Sequence, residues 1–190
     1  MLTAILDSKT YVGVEQCLCN IPPEVDAVEW RLDYLSHYDL VKIAAVRRKI
    51  ALPLILTLRT MNQGGLYEGS VEQYQRCVLE LLEQCQPDYI DIEYTLPTEF
   101  FAEINNAFPA VKIINSYHDF SKTSDDLSKL FDTIYNKSAH ITKLITFANS
   151  SLDSLRMFQF VKAAQAKHNI IGHCMGENGE FSREIGRAHV

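Results

Sequence analysis

The sequence predicts an α/β protein, most simply a single (β/α)8 barrel domain over residues 1–190 in which about seven βα units are present. Short apolar segments alternate with amphipathic ones along the chain, which indicates a parallel sheet with helical crossovers. Strands such as Leu54 to Leu58 are continuously apolar rather than alternating, as expected when both faces of a sheet are covered. No Gly-x-Gly-x-x-Gly follows the first strand, and this weakens the dinucleotide-binding alternative.

Seven strands are predicted from apolar runs of strand length. Several are followed directly by a charged residue, which marks the point where each strand leaves the core. In chain order the runs are Leu2 to Leu6, Ala27 to Leu32, Leu54 to Leu58, Tyr89 to Glu93, Val111 to Ser116, Ile141 to Phe147 and Ile170 to Cys174.

The helices between these strands are predicted from apolar periodicity and capping residues. The first two cover roughly residues 12–19 and 39–49, and Ser70-x-x-Gln73 is a capping box that opens the third. Pro97 suits the first turn of the fourth helix, and Thr123-x-x-Asp126 is expected to cap the fifth. Ser151 is expected to open the sixth, with its buried side formed by Leu152, Leu155, Phe158 and Val161.

Composition limits the possible partners and compartment. The formal net charge of −6 argues against nucleic acid, because phosphate binding requires a basic face. The longest apolar run, residues 50–58, is interrupted by Pro53 and is too short to cross a bilayer. Five cysteines without a secretory leader predict reduced thiols in a cytoplasmic protein. Cys17-x-Cys19 does not have a zinc spacing, so no metal site is expected.

Polar side chains occupy the carboxyl ends of the predicted strands, where barrel enzymes carry their catalytic groups. A carboxylate, an imidazole and an amine follow one another on three successive strands at intervals of 25 residues, in Glu93, His118 and Lys143. The other strand ends supply Glu29, Arg31 and Arg59. The sequence therefore predicts an active site built on a repeated βα unit.

Lys143 lies among Ile141, Leu144 and Ile145. A buried amine loses its charge readily, and a neutral amine is the nucleophile that forms a Schiff base with a carbonyl group. The alternative is a lysine whose flexible stem reaches from the strand end to water. The residues around Lys143 favour neither interpretation over the other.

A catalytic role for His118 is indicated by the residues expected near it rather than by the histidine alone. An imidazole that titrates near neutrality can remove a proton and return it when a partner fixes its tautomer. Glu93 is a candidate partner, although it could instead pair with an arginine. Asp119 is expected to point away and to cap the following turn.

Arg31, Arg59 and Arg183 are candidates for holding a small anionic substrate through paired hydrogen bonds. Three arginines at one end of a barrel place considerable positive charge there. We therefore expect either an anion or Glu29 to balance it.

Ordered motifs between residues 29 and 183 resemble those of type I 3-dehydroquinate dehydratase. They are Glu-Trp-Arg-Leu-Asp at 29–33, Leu-Thr-Leu-Arg-Thr at 56–60, Gly-Gly-x-x-Glu-Gly at 64–69, Asp-Ile-Glu at 91–93, Ser-Tyr-His-Asp-Phe at 116–120, Thr-Lys at 142–143 and Met-Gly-x-x-Gly-x-x-Ser-Arg at 175–183.

The resemblance implies a barrel enzyme of the shikimate pathway that dehydrates 3-dehydroquinate to 3-dehydroshikimate. Lys143 matches the imine-forming lysine, His118 the general base and Glu93 the carboxylate that positions the histidine. The resemblance implies no metal or organic cofactor, because the protonated imine serves as the electron sink. It is also compatible with a homodimer. The matches to its substrate-binding residues are Glu29, Arg31, Arg59, Met175 and Arg183, with Arg183 expected on the carboxylate.

The family barrel continues into an eighth strand whose loop contributes a serine and a glutamine, and the sequence is expected to lack this last unit. Some relatives are fused to a shikimate dehydrogenase domain, and in such a fusion that domain would lie after residue 190. Two alternatives remain open on the sequence. One is another imine-forming lyase of the class I aldolase type, and the other is a non-catalytic barrel that serves as an interaction module.

Overall fold

The computed structural model describes residues 2–185. Its contacts divide the chain into two compact units. The first comprises the chain up to Asp91 together with residues 96–112, and the second comprises residues 92–95 and the chain from Ile113 onward. The organisation as one barrel domain stays a prediction.

Seven strands occur in the described residues, and their pairings are parallel. In the first unit β1 pairs with β2, β2 with β3, and β3 with β4, and in the second β5 pairs with β6 and β6 with β7. The strands are β1 Thr3–Leu6, β2 Ala27–Arg31, β3 Leu54–Thr57, β4 Tyr89–Glu93, β5 Lys112–His118, β6 Ile141–Phe147 and β7 Ile170–Met175. The predicted strands are confirmed, with β5 extended by two residues so that His118 is its last residue.

Helices connect the strands as predicted, and one further helix follows β7. They are α1 Tyr11–Cys19, α2 Leu40–Arg47, α3 Val71–Cys85, α4 Thr98–Ala107, α5 Leu127–Ile134, α6 Ser151–Ala164 and α7 Glu180–Ile185. Short 3₁₀ turns at Leu32–Tyr34, Met61–Gln63 and Glu177–Gly179 complete the described chain. None of the helices within residues 2–185 combines the length and the apolar character needed to cross a membrane.

Two of the predicted helix starts differ in outcome. The capping box at α3 is confirmed, because Ser70 Oγ accepts from the Gln73 N–H and Gln73 Oε1 accepts from the Ser70 N–H. The predicted cap of α5 is wrong at Thr123. Asp126 caps that helix by accepting from the Lys129 N–H, whereas Thr123 is buried and donates to the Phe147 carbonyl oxygen.

The predicted buried side of α6 is also wrong in part. Leu152 and Leu155 are 68% and 45% exposed, while Met157 and Val161 are buried. Asp153 turns inward because its carboxylate accepts from the Ser150 N–H at the start of the helix, and this rotates the leucines toward solvent.

In the second unit the apolar core lies between the strands and their helices. Its buried members are Leu127, Phe131 and Ile134 of α5, Leu144 of β6 and Ala148 just after that strand, Met157 and Val161 of α6, and Ile170 and Cys174 of β7. A Cβ atom on Gly172 would lie 2.4 Å from Cγ2 of Val161, so β7 and α6 are in close contact. This face of β6 and β7 is therefore the helix-covered face.

Candidate active site

The opposite face of the second unit carries the predicted lysine and histidine. Lys143 of β6 is in register with Ser116 of β5 and with Ile171 of β7. Residues in register on parallel strands share a face, and so do residues two apart on one strand. Lys143 therefore points away from the helix-covered face, and its side chain is half-buried.

His118 lies one pleat beyond Lys143 on this face. It is in register with Ile145, two residues after Lys143 on the neighbouring strand, and neighbouring strands lie about 4.8 Å apart. On the other side of β6, His173 of β7 is also in register with Ile145. Two histidines therefore flank the strand that carries Lys143, both toward its carboxyl end.

Glu93 ends β4 and is 3% exposed. The next residue, Tyr94, donates its N–H to the Ser116 carbonyl oxygen at 3.0 Å, and this bond brings the end of β4 beside β5. The carboxylate is thus delivered to the strand that carries His118. Its role as the partner of the imidazole stays a prediction.

The expectation for Asp119 is confirmed. Its Oδ1 accepts hydrogen bonds from the Ser121 N–H, the Ser121 hydroxyl and the Lys122 N–H. Burial alone would raise the pKa of Asp119, but these hydrogen bonds outweigh it and lower the pKa. Asp119 therefore stabilises the turn after β5.

In the first unit, Arg31 is held by a carboxylate that the sequence analysis did not single out. Its Nε and Nη2 donate to the two oxygens of Asp33 at 2.9 and 2.7 Å. Burial alone would lower the pKa of Arg31, but the hydrogen bonds and charge of Asp33 raise it. Asp33 also accepts from the N–H groups of Arg59 and Leu66, so one carboxylate positions the arginine and the loop after β3.

Arg59 is 3% exposed and forms an ion pair with Asp91, at 2.8 Å between Nη2 and Oδ2. The glycine-rich loop that follows packs closely on its backbone, because a Cβ on Gly65 would lie 2.1 Å from the Arg59 carbonyl oxygen. Tyr67 donates its N–H to that same oxygen at 3.0 Å. The Gly-Gly motif therefore fixes the place of Arg59.

The expectation that an anion or Glu29 balances the arginines is incomplete. Glu29 accepts from the Thr57 hydroxyl at 2.9 Å, while Asp33 and Asp91 supply the carboxylates paired with Arg31 and Arg59. A signal for both was present in the sequence. Asp91 precedes Glu93 by two residues, which is the spacing of one strand face, and Asp33 follows Arg31 by two residues in the turn after β2.

The motif after β7 is held by Ser182. Its hydroxyl donates to the Gly179 carbonyl oxygen at 2.6 Å and accepts from the Cys174 N–H at 2.9 Å. Met175 ends β7 in register with Phe147, on the face that carries Lys143. Arg183, next to Ser182, is exposed. The serine of the Ser-Arg pair thus ties α7, which carries the arginine, to the end of β7.

His173 was not predicted as a site residue, and its surroundings are cationic. Burial is the largest cause that lowers the pKa of His173, to about 4. The positive charges of Arg183 and Lys143 act in the same direction, and the Cys174 backbone opposes them. Arg183 and Lys143 are thus both near enough to His173, a residue of the face that carries Lys143, to lower its pKa.

Within residues 2–185, His, Cys, Asp and Glu form no group of three suited to a metal ion. The five cysteines are free thiols, with Cys17 and Cys19 exposed and Cys85 and Cys174 buried. Burial raises the pKa of the Cys85 thiol to about 11, so that thiol remains protonated at neutral pH.

Parallel strands that alternate with helices, with a carboxylate and an imidazole at the carboxyl ends of β4 and β5 and an amine within β6, define an α/β-barrel enzyme. The chain belongs to the type I 3-dehydroquinase family, whose sequence profile matches residues 4–189. The family predicted from the motifs is therefore confirmed.

Two curated relatives illustrate the similarity. A bifunctional 3-dehydroquinate dehydratase/shikimate dehydrogenase of Arabidopsis thaliana, described as chloroplastic, is 37% identical over 162 residues, which cover 83% of this chain and 26% of that protein. A 3-dehydroquinate dehydratase of Streptococcus sanguinis is 31% identical over 165 residues, which cover 84% of this chain and 72% of that protein. The chain thus matches about a quarter of the first relative and about three quarters of the second.

A solved structure supports the fold class. The type I 3-dehydroquinate dehydratase of Clostridium difficile, determined with a covalently modified comenic acid, matches with a TM-score of 0.85. The match covers 98% of this chain and 79% of that one at 21% identity. The predicted α/β fold of a (β/α)8 barrel is confirmed by this match.

Proposed function

We propose that the chain dehydrates 3-dehydroquinate to 3-dehydroshikimate through an imine between the substrate ketone and Lys143. Membership of the type I 3-dehydroquinase family supports this reaction. The Streptococcus sanguinis relative is named 3-dehydroquinate dehydratase, after the same reaction. The observation that carries the proposal is the register of β5 and β6. It puts His118 one pleat from Lys143 on the same face, as a base must be to take a proton from a carbon next to the imine.

In this proposal Lys143 supplies covalent catalysis. Its amine adds to the ketone carbon, and loss of water leaves a protonated imine. The positive nitrogen withdraws electrons and acidifies the adjacent C2 position. A base no stronger than imidazole can then remove the C2 proton.

His118 takes the C2 proton and returns it to the departing C1 hydroxyl, so that water leaves and a C1–C2 double bond forms. Hydrolysis of the product imine frees Lys143, and one water is lost from the substrate overall. Glu93, delivered beside β5 by the bond between Tyr94 and Ser116, serves to orient the imidazole.

Arg183 is proposed to bind the substrate carboxylate, since its charge lowers the pKa of His173, a residue of the face that carries Lys143, and a guanidinium can form two parallel hydrogen bonds to an anion. Met175 contributes an apolar contact at the end of β7. Glu29, Arg31 and Arg59 are proposed to bind substrate hydroxyls, with Asp33 and Asp91 holding the two arginines in place.

The alternatives from the sequence analysis are weaker. A class I aldolase shares the strand-borne lysine but gives no reason for the Ser-Tyr-His-Asp-Phe segment together with Arg183. An interaction module would give no reason for buried carboxylates that hold Arg31 and Arg59 beneath a glycine-rich loop.

Turnover tests the proposal directly. The product contains a conjugated enone, so its formation from 3-dehydroquinate is followed by ultraviolet absorbance. The wild-type chain is expected to produce this signal, and Lys143→Met is expected to abolish it. Lys162→Met is the matched control, because Lys162 is exposed on α6. Cleavage of sugar-phosphate aldols without dehydration would favour the aldolase, and absence of both activities would favour the interaction module.

We also propose a cytoplasmic location and a homodimer that binds no nucleic acid. The five free thiols support a reducing compartment, and the net charge of −6 supports a small-molecule partner. Exposed apolar side chains on α6 and α7, namely Leu152, Leu155 and Phe181, favour self-association. Light scattering of the purified chain at graded concentrations tests the dimer, which predicts twice the mass of 21.6 kDa.

A further inference from the structure

Ser116 is a polar residue of β5 that the proposed mechanism does not use. It is 0% exposed and is in register with Lys143 of β6, so its side chain lies on the face that carries Lys143. Its main chain also meets β4, because its carbonyl oxygen accepts from the Tyr94 N–H at 3.0 Å. Ser116 therefore lies between the strand that carries Glu93 and the strand that carries Lys143.

The hydrogen bond from Tyr94 to Ser116 also sets the register of β4 against β5. In a parallel pair, the N–H of a residue bonds to the carbonyl oxygen of the residue level with its predecessor, so Glu93 is level with Ser116. One residue further along each strand, the rings of Tyr94 and Tyr117 meet edge to face with centroids 5.1 Å apart, in agreement with this register. Glu93, Ser116 and Lys143 thus form one row across β4, β5 and β6.

The small side chain of Ser116 separates two long side chains in this row. Neighbouring strands lie about 4.8 Å apart, so the Cα atoms of Glu93 and Lys143 are about 10 Å apart. Both side chains are long enough to bend over a serine and bring their polar ends to its hydroxyl. Because Glu93 is 3% exposed and Ser116 is 0% exposed, these two side chains need hydrogen-bond partners within the protein.

We propose that Ser116 is a positioning residue for Lys143, whose hydroxyl donates to the Glu93 carboxylate and accepts from the ε-amine. A hydroxyl donates and accepts at once, whereas a carboxylate accepts and an amine donates, so the three groups match in this order. When the hydroxyl holds one N–H of the neutral amine, the lone pair of the amine is left free for the ketone carbon. This inference rests on the proposed function, which supplies the ketone, and the second oxygen of Glu93 remains for His118.

The role assigned to Ser116 is confined to the first step of the reaction. After the amine has become an imine, proton transfer depends on His118, one pleat further along β5. Loss of the Ser116 hydroxyl should therefore slow imine formation and leave elimination from the preformed imine unchanged. A purely structural role would affect both steps through the stability of the fold.

Rapid quenching with borohydride measures the first step, because it reduces the imine formed on Lys143 within a chosen time, and intact mass gives the adduct fraction. We expect Ser116→Ala to slow imine formation roughly tenfold, as the loss of one hydrogen bond implies. Ser116→Thr keeps the hydroxyl and should restore part of the rate. Thr146→Val is the matched control, because Thr146 is equally buried and its hydroxyl contacts that of Thr123 at 2.8 Å on the helix-covered face.

Equal rates of imine formation in the wild type and Ser116→Ala, or an equal slowing in Thr146→Val, would overturn the inference. Elimination that slows as much as imine formation would also overturn it. Should Ser116→Ala not fold, Ser116→Cys takes its place with the same expectation, since a thiol is a weaker donor and acceptor.

Reductive methylation with formaldehyde separates this inference from the proposed function, because it needs the Lys143 amine but no substrate. Absence of an imine between the wild type and 3-dehydroquinate would contradict the proposed function. Slower methylation of Lys143 in Ser116→Ala, located by peptide mapping, would support the contact with Ser116 even then. An equal or faster rate of methylation in that variant would contradict the contact, whatever the result with 3-dehydroquinate.

Discussion

His118 lies one pleat beyond Lys143 on the neighbouring strand, because its register partner is Ile145 and both side chains share the face opposite the helices. A base and an amine in this relationship can act on adjacent carbons of one ring. Imine formation and proton removal are then consecutive events on one bound substrate, which is the sequence that the proposed mechanism requires.

Replacement of His118 should separate the two events. His118→Asn is expected to lower turnover by about 10²- to 10⁴-fold, the usual contribution of general base catalysis, while imine formation at Lys143 persists. Steady-state rates and intact mass after reduction measure the two effects. His37→Asn, at an exposed position, should leave both unchanged. A His118→Asn variant with normal turnover would remove His118 from the mechanism.

The buried ion pair of Arg59 and Asp91 should contribute strongly to stability. Asp91→Asn removes the carboxylate paired with a guanidinium that is 3% exposed, and we expect it to lower the free energy of unfolding by about 3–5 kcal/mol. Urea unfolding followed by circular dichroism measures this. The control is Asp125→Asn in the exposed pair with Arg156, which should leave stability unchanged. Equal effects of the two substitutions would contradict the account of Arg59.

Ser182 should matter through the position of Arg183. Ser182→Ala removes the acceptor of the buried Cys174 N–H, at a cost of about 1–3 kcal/mol, and loosens the attachment of α7 to β7. We expect KM for 3-dehydroquinate to rise more than kcat falls, because carboxylate binding depends on this attachment. Ser128→Ala, exposed on α5, is the control. A fall in kcat with KM unchanged would argue against this role.

His173 should make stability depend on pH. Its pKa is lowered from 6.5 to about 4 by burial, Arg183 and Lys143, so between these values only the unfolded chain binds the proton. Stability should fall as pH decreases from 6.5 to 4, by up to about 3 kcal/mol, and this group should cause no further loss below 4.

The measurement is the free energy of unfolding at intervals between pH 4 and pH 7. His173→Leu should flatten this part of the profile, whereas His37→Leu, which removes an exposed imidazole, should not. If the free energy of unfolding had the same pH dependence in the wild type and in His173→Leu, the pKa of His173 would be the same in the folded and unfolded chains, and the prediction would be wrong.

Apolar runs and their charged ends sufficed to predict the strands. A strand whose two faces are covered must consist mostly of apolar residues, and such a run is easily recognised in a sequence. These runs predicted β6 with its observed bounds and the end of β4 at Glu93, whereas β5 runs two residues past its predicted end, to His118. The buried side of α6 was not predictable from periodicity, since the inward turn of Asp153 depends on a capping interaction. Helix α7 lay beyond the last apolar run and depends on the bond from Ser182 to β7.

The place of Lys143 on β6 was predicted, because the strand that carries it is recognisable from its own residues, while its role in catalysis stays a prediction. The site was not predicted where the relevant property belongs to a pair. Asp33 and Asp91 gain their roles from contacts with Arg31 and Arg59, and His173 from its register with β6. Alternation along β4 and β7 could have indicated Asp91 and His173, but only the register shows which residues of neighbouring strands lie side by side.

Reductive trapping tests the central claim most directly. The wild-type chain is incubated with 3-dehydroquinate and borohydride, and the adduct is located by intact mass and peptide mapping. We expect one covalent adduct, on the peptide that contains Lys143, and none in Lys143→Met. An adduct on another lysine, or none in a wild-type chain that still produces the enone, would contradict the mechanism proposed for this protein.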